Sequence, residues 1–184
     1  MTSLTQYDDA APHTEQQRLD DFPAIAAALA PHGIVLERWD ASAPLAADAS
    51  DADILAAYAG HLDALIARGG YQSCDVLRLN PDHPQRAELR AKFLAEHIHD
   101  DDEVRFFVEG AGLFYIHAGG QVHALECTAG DLIAVPAGTQ HWFDTGARPS
   151  FTVIRLFTTP DGWVARFTGD PIAESIPLYE GVAA

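Results

Sequence analysis

The chain has 184 residues, of which 11 are Lys or Arg and 27 are Asp or Glu, so its formal net charge at pH 7 is −16. This acidity disfavours binding to nucleic acid and to anionic membrane surfaces, because both depend on cationic side chains that neutralise phosphates. Hydrophobic residues make up 48% and charged residues 21%, which is typical of a globular protein. We therefore expect one domain over residues 1–184, with no nucleic-acid or membrane partner.

Signals of membrane insertion and of export are missing as well. The longest apolar run, residues 23–31, is far shorter than the roughly 20 residues that a membrane-spanning helix needs. No cationic segment follows Met1. Cys74 and Cys127 are too few and too far apart to indicate a disulfide framework. We expect a cytoplasmic protein.

Residues 1–17 are polar and show no apolar period, so we expect them to be loose or to dock late. Residues 18–95 carry helix signals that are separated by short edge strands. Predicted helices cover residues 20–31, 51–69 and 84–94, and predicted strands cover residues 33–39 and 75–79. In the second helix the apolar positions from Ile54 to Ile66 fall on one stripe, which predicts a helix packed by one face.

From Glu96 to about Phe157 the pattern changes to short apolar runs divided by glycine turns. The predicted strands cover residues 104–108, 113–116, 122–125, 132–135 and 152–157. Short strands at such regular spacing predict an antiparallel sandwich or barrel. Helices followed by strands indicate a mainly β, α+β fold, in which residues 96–158 form the barrel and residues 159–184 form a tail over the surface.

The stretch from Glu96 to Glu103 carries the most specific chemistry. His97 and His99 are two residues apart, so on a strand both imidazoles point to the same face. Glu103 follows a tight turn of three Asp and can return its carboxylate to that face. Two imidazoles and a carboxylate on one wall predict a divalent-metal site that suits iron, nickel, manganese or zinc.

His141 is the candidate for a fourth ligand, because it begins the strand after a Pro/Gly turn over residues 136–138. Three His and one Glu would leave two adjacent positions open on an octahedral ion, which is room for a bidentate oxygen substrate. Imidazole binds a metal only when it is neutral. We therefore expect metal loss on acidification through the ordinary histidine pKa of about 6.5 and below.

The other six histidines are better explained by packing or by surface positions. Each lacks a companion at ligand spacing, and they are His13, His32, His61, His83, His117 and His123. We therefore expect the metal to take three of the nine histidines.

Two segments resemble the motifs of the cupin family. Residues 97–110 (His-x-His-x-x-x-Glu, six residues, Gly) resemble the first motif, and residues 130–141 (Gly, five residues, Pro-x-Gly-x-x-His) resemble the second. Thr145 stands where the second motif often has Asn, a departure that touches no metal ligand. The resemblance implies a cupin-type antiparallel β-barrel, or jelly roll, that carries the metal site.

A narrower resemblance covers most of the chain. It rests on residues 96–110 (Glu-His-Ile-His-Asp-Asp-Asp-Glu-Val-Arg-Phe-Phe-Val-Glu-Gly), 136–144 (Pro-Ala-Gly-Thr-Gln-His-Trp-Phe-Asp) and 155–157 (Arg-Leu-Phe). These segments are similar to bacterial acireductone dioxygenases of the methionine salvage pathway. The resemblance implies an enzyme that acts on 1,2-dihydroxy-3-keto-5-methylthiopentene with dioxygen, as a monomer with one Fe(II) or Ni(II) per chain. In this family the Fe(II) form makes formate and 2-oxo-4-(methylthio)butanoate. The Ni(II) form makes 3-(methylthio)propanoate, formate and carbon monoxide.

The resemblance also implies roles for individual residues. By position, the metal ligands are His97, His99, Glu103 and His141. Arg105 matches the arginine that favours the substrate dianion, Glu96 a residue linked to metal incorporation, and Asp102 a residue that relays local conformational change. Candidates for the apolar wall around the methylthio tail are Phe93, Trp142, Phe143 and Trp163, although such aromatics more often pack in a core.

Arg105 also has a purely structural explanation. It lies two residues past Glu103, so on a strand it shares the face of that ligand. On spacing alone, a salt bridge to one of the three acids at residues 100–102 explains it equally well.

Two other functions fit the cupin motifs, because one fold hosts many chemistries. One is another metal-dependent cupin oxygenase or isomerase, and the other is a non-catalytic metal-binding cupin. A sugar-phosphate isomerase would need several Arg or Lys near the metal, and the motif region offers only Arg105. Dioxygen uptake distinguishes an oxygenase from an isomerase, and turnover distinguishes an enzyme from a binding protein.

Overall fold

The computed structural model describes residues 1–46 and 48–181, which form four α-helices and eleven strands. The strands are β1 Ser3–Asp8, β2 Ala11–Leu19, β3 Val35–Arg38, β4 Ser73–Leu79, β5 His97–Ile98, β6 Glu103–Ala118, β7 Gln121–Thr128, β8 Asp131–Val135, β9 Gln140–Asp144, β10 Ser150–Phe157 and β11 Arg166–Phe167. The helices are α1 Phe22–Leu29, α2 Asp51–Ala57, α3 Ala59–Gly69 and α4 Arg86–Phe93. Within the described residues, no helix has the length and apolarity needed to cross a membrane.

The long strand β6 belongs to two sheets. Its first half pairs with β8 and β10, and its second half pairs with β7 and β9, always antiparallel. Sheet A therefore has the order β3-β8-β6-β10-β4, and sheet B has the order β11-β5-β9-β6-β7-β1-β2. Two antiparallel sheets around a shared core, with helices outside, confirm the predicted α+β, cupin-type architecture.

Gly110 lets β6 pass from one sheet to the other. Its φ is +73°, and a Cβ built there would lie 1.8 Å from the carbonyl oxygen of Ser150. Only glycine tolerates both the left-handed backbone and this close approach. A bulge lies beside it, because the register with β10 shifts between Thr152 and Val153. The prediction of two separate strands, at residues 104–108 and 113–116, is wrong because the glycine bends a continuous strand.

The alternation of side chains along β6 divides the molecule into layers. Val104, Phe106 and Val108 point to the apolar cluster beneath α2 and α3. Phe107 points the other way, into the core between the sheets, together with residues of β4, β7, β8 and β10. Each fully buried apolar side chain of this size contributes about 1.5–3 kcal/mol, so burial on both faces fixes β6 firmly. Glu103 and Arg105 lie on the same inner face as Phe107.

The prediction of a loose N-terminus over residues 1–17 is wrong. β1 pairs along its whole length with β7, and on its other side it pairs with β2, the edge strand of sheet B. This segment lacks an apolar period because backbone pairing and polar contacts hold it, such as the 3.0 Å hydrogen bond between Gln6 Nε2 and His123 Nδ1. Leu4 adds the one fully buried apolar side chain of the segment.

Two other boundaries differ from prediction. The helix predicted over residues 51–69 is two helices, which meet at Tyr58 because its ψ of 11° leaves the helical range. Ser50 starts the first of them through a capping box with Asp53. The predicted C-terminal tail contains β11 and a short 3₁₀ helix, Pro171–Glu174, while residues 182–184 of that tail lie outside the described residues.

Candidate metal centre

Two neighbouring strands of sheet B, β5 and β9, and the start of β6, which pairs in sheet A, bring the predicted ligands together. β5 and β9 pair so that His97 lies directly opposite His141. His99 follows the end of β5, and Glu103 opens β6. None of these four side chains belongs to a residue more than 5% exposed. Buried polar groups need partners, so the cluster calls for an explanation by pairing or by coordination.

The donor atoms of the four residues converge. One ring nitrogen each of His97, His99 and His141 lies within 4.8 Å of the others. Glu103 Oε2 lies 3.3 Å from His141 Nε2 and 3.8 Å from His99 Nε2. Three imidazoles thus face a common point, and the Glu103 carboxylate lies beside two of them.

Backbone carbonyls fix the tautomer of each ring. Each Nδ1 lies 2.8–3.0 Å from a carbonyl oxygen, and the pairs are His97–Ala95, His99–Val164 and His141–Thr139. A carbonyl oxygen only accepts hydrogen bonds, so each Nδ1 carries the hydrogen and each Nε2 keeps its lone pair. Such outer contacts orient histidines that bind metals.

Two atoms of the cluster have no hydrogen-bond partner among the described residues, Glu103 Oε2 and His141 Nε2. Because the His141 hydrogen is on Nδ1, Nε2 has none to donate to the carboxylate. A buried carboxylate oxygen and a lone pair facing each other are unfavourable unless a cation lies between them. Three imidazoles and one carboxylate at these positions therefore fit a divalent transition metal.

The protonation states also suit metal binding. Burial and the neighbouring His141 ring lower the pKa of His97 to about 4, and burial likewise lowers the pKa of His99. Burial alone would raise the pKa of Glu103, but the positive charge of Arg105 and the polar groups around the carboxylate outweigh it and hold that pKa well below 4.5. At neutral pH His97 and His99 are thus neutral and Glu103 is ionised, which are the forms that bind metal.

Arg105 is a buried cation beside the cluster. Its Nε donates to Glu103 Oε1 at 2.8 Å, and the residue is 4% exposed. The guanidinium lies 5.0 Å from the ring centre of Phe114 and 4.9 Å from that of Phe143. Its Nη1 has no hydrogen-bond partner within the described residues. Arg105 therefore presents a fixed positive charge with an unused donor.

The acids next to the ligands have partners other than Arg105. Asp100 pairs with Arg166, and Asp102 accepts from the N–H of Ala137 at 2.8 Å. The salt bridge of Arg105 to residues 100–102, left open by the spacing, is absent among the described residues. Asp102 instead ties the first ligand segment to the turn that precedes His141.

Glu96 directly precedes β5 and is buried. Its carboxylate lies 2.8 Å from His117 Nδ1, 2.6 Å from Thr168 Oγ1 and 3.4 Å from Gln140 Nε2. Sequence spacing predicted no partner for His117, because Glu96 lies 21 residues away in the sequence. The roles predicted for Glu96 and Asp102 remain predictions.

A loop over residues 158–165 positions the carbonyl that orients His99. Asp101 holds this loop by accepting hydrogen bonds from Thr158 and Thr159. A Cβ built at Gly162 would lie 2.2 Å from Asp101 Oδ2. The contact of Val164 with His99 is a functional feature that the sequence analysis missed, because a backbone carbonyl leaves no residue-type signal.

A cavity of about 420 Å³ opens next to the cluster. Phe93 and Trp163 line it, as predicted, and it also has Leu77, Leu89 and Phe167 in its walls. The exposed fraction of Trp163 is 51%, which places this ring at the mouth.

The prediction that Trp142 and Phe143 line the cavity is wrong. Trp142 points to the face opposite His141 and stacks on Tyr115, with ring centres 5.0 Å apart. Phe143 packs in the core between the sheets and supports Arg105 from behind. The alternation along β9 explains the first of these positions.

Three cations border the cavity, where the motif region had offered only one. They are Arg105, Lys92 on α4 and Arg155 on β10. Helix and strand packing brings Lys92 and Arg155 from distant parts of the chain, which spacing within a motif does not reveal.

Comparisons with known proteins agree with this geometry. A family model described as ARD/ARD′ matches residues 3–165. The chain belongs to this family. The chain is 56% identical over 180 residues to an acireductone dioxygenase of Parvibaculum lavamentivorans, a match that covers 98% of each protein. It is 54% identical over 180 residues to that of Stutzerimonas stutzeri, covering 98% of this chain and 99% of the relative.

A solved structure extends the likeness to three dimensions. It is an acireductone dioxygenase from Bacillus anthracis with a cadmium ion in its active centre. The TM-score is 0.80 at 31% identity, and the match covers 91% of this chain and 98% of that one. The chain is thus a homologue of metal-dependent dioxygenases across nearly its full length.

Proposed function

We propose that the chain is an acireductone dioxygenase of methionine salvage, which acts on 1,2-dihydroxy-3-keto-5-methylthiopentene with dioxygen. The observation that carries the proposal is the buried convergence of three Nε2 lone pairs with Glu103 Oε2 beside an apolar cavity. His97, His99, Glu103 and His141 would hold one Fe(II) or Ni(II). Such an ion supplies Lewis acidity that stabilises the anionic form of an enediol.

The chain's own residues prepare the site for that substrate. Arg105 keeps its charge at any physiological pH, so it favours loss of both enediol protons. Its unused Nη1 donor is free for a substrate oxygen. Phe93 and Trp163 exclude water and provide apolar surface for a methylthio tail. Glu96 assists metal incorporation, and Asp102 relays movement between the two ligand segments.

The metal decides the products in this proposal. The Fe(II) form gives 2-oxo-4-(methylthio)butanoate and formate, and the Ni(II) form gives 3-(methylthio)propanoate, formate and carbon monoxide. All four ligands are shared, so the same protein, loaded with either ion, is expected to change its product set.

Dioxygen uptake with the acireductone as substrate tests the proposal. Protein loaded with Fe(II) or Ni(II) should consume dioxygen, and products should be identified for each metal form. His97→Ala and His141→Ala should lose metal and turnover, while His83→Ala, which changes a half-buried histidine outside the cluster, should keep both. Metal-loaded protein that consumes no dioxygen with this substrate would disprove the assignment.

We further propose a cytoplasmic monomer of one domain, with one ion per chain and without nucleic-acid partners. The net charge of −16 supports the last point. Light scattering should give a mass near 19.8 kDa, and elemental analysis should give one metal per chain. A dimer mass or two metals per chain would contradict this.

A further inference from the structure

The chain contains a single lysine, Lys92, and it borders the cavity beside the metal-ligand cluster. We propose that the Lys92 ammonium recruits the anionic substrate into the cavity. The inference rests on the proposed function, because it assumes that the substrate is an acireductone. An enediol conjugated to a ketone is a vinylogous acid, so this substrate is an anion at neutral pH.

The pairing of the cavity cations singles out Lys92. Arg105 donates to Glu103 at 2.8 Å, and Arg155 makes a two-point contact with Asp75 at 2.8 and 2.6 Å. Lys92 has no ion pair among the described residues. It is therefore the cation of the cavity whose charge no carboxylate in the described chain offsets.

The position of Lys92 suits recruitment. It lies in the last turn of α4, exposed to solvent, and its helix neighbours Leu89 and Phe93 also line the cavity. Lys92 thus lies where the apolar wall of the cavity meets water. Arg105, by contrast, is buried beside the ligands. Lys92 therefore acts at the entrance of the cavity and Arg105 at its inner end.

The acidity of the whole chain gives this charge its importance. At −16, the surface repels an approaching anion, and a local positive charge at the mouth of a cleft offsets that repulsion. Glu88 precedes Lys92 by one helical turn, but such exposed pairs are weak and leave the ammonium available.

Steady-state kinetics at several salt concentrations test the inference. Lys92→Met should lower kcat/KM by about threefold to tenfold at low salt, through KM, and should flatten its salt dependence. Lys92→Arg should restore both, because it keeps the charge. The matched control is Arg86→Met, which removes one charge from the exposed side of the same helix and should leave kcat/KM and its salt dependence unchanged.

A reporter on the same amine provides a readout that does not depend on turnover. Reductive methylation with ¹³C-formaldehyde labels Lys92 and the amino terminus and preserves their charge. The Lys92 methyl resonance of nickel-loaded protein should shift when the acireductone is added under argon, and a neutral 1,2-diol should not shift it.

Two results would overturn the inference. One is a Lys92→Met variant that matches the wild-type kcat/KM at every salt concentration. The other is a Lys92 resonance that does not respond to saturating acireductone. Both require a wild-type protein that turns over acireductone, so failure of the proposed function is seen separately, as absence of that turnover.

Discussion

Replacement of Arg105 by Met should weaken the folded protein strongly only when no metal is bound. The side chains of Arg105 and Glu103 are 5% and 2% exposed and lie 2.8 Å apart. Removing one partner of such a buried pair leaves an uncompensated charge, which costs about 3–5 kcal/mol of unfolding free energy. Met keeps most of the apolar packing between Phe114 and Phe143.

A bound divalent ion should neutralise much of the Glu103 charge that Arg105 no longer balances in this variant. We expect the loss in the nickel-loaded variant to be only about 1 kcal/mol, which reflects packing. The difference between the two states is then about 2–4 kcal/mol. By linkage, the variant should bind nickel about 30-fold more tightly or more, although it should turn over poorly.

The pH dependence follows from Glu103. Its pKa in the folded protein is lowered below 4.5, so its contribution to stability is present above that pH and is lost as the pH falls. Arg105→Met lacks much of this contribution. In the absence of metal, the difference in unfolding free energy between the wild-type protein and Arg105→Met should therefore become smaller as the pH falls.

Urea unfolding with and without nickel, together with chelator competition, measures these quantities. Arg155→Met is the control, because its pair with Asp75 is partly exposed and should be worth about 0–1 kcal/mol in both states. An equal loss of stability with and without nickel would refute the reasoning. So would weaker nickel binding by the Arg105→Met variant.

Three further predictions concern other parts of the structure. Gly162→Ala places a Cβ within 2.2 Å of the Asp101 Oδ2 atom, so it should lower the unfolding free energy by about 1–3 kcal/mol and weaken metal retention. Gly60→Ala is the control, because a Cβ there meets open space and should have neither effect. Burial lowers the pKa of His123 to about 4, so as the pH falls from about 6.5 to about 4 the folded state should lose about 3 kcal/mol; His123→Gln should remove this slope in acid denaturation, and an unchanged slope would contradict it. Burial raises the pKa of Cys74 to about 11 and that of Cys127 well above 9, so neither thiol should react readily with a disulfide reagent at pH 8; fast labelling of the folded protein would show the packing to be wrong.

The clustering of the candidate metal ligands could be predicted because their signal is local. His97, His99 and Glu103 lie within seven residues and alternate as a strand requires. His141 lies behind a Pro/Gly turn that marks the start of a strand. Pairing of His97 with His141 across two strands was not visible, since register depends on the whole sheet.

The features that could not be predicted depend on the surroundings of a side chain in the fold rather than on its residue type. The metal-loss prediction assumed an ordinary histidine pKa of about 6.5, whereas burial lowers that of His97 to about 4. Proton competition at this ligand therefore begins at lower pH than expected. Trp142 was a candidate for the apolar wall around the methylthio tail, yet it directly follows His141, and adjacent strand residues face opposite sides.

The two shortest strands at the site, β5 and β11, have two residues each, so few ladder hydrogen bonds hold that edge of sheet B. A metal ion bound by His97, His99, Glu103 and His141 would cross-link β5 and β9 at this edge to the start of β6, which pairs in sheet A. This reversible cross-link would hold distant segments of the chain together, as a disulfide does. Unlike a disulfide, it would not need an oxidising compartment. Demetallation should therefore first loosen β5 and β11, whereas β6, buried on both faces, should exchange its amide hydrogens last.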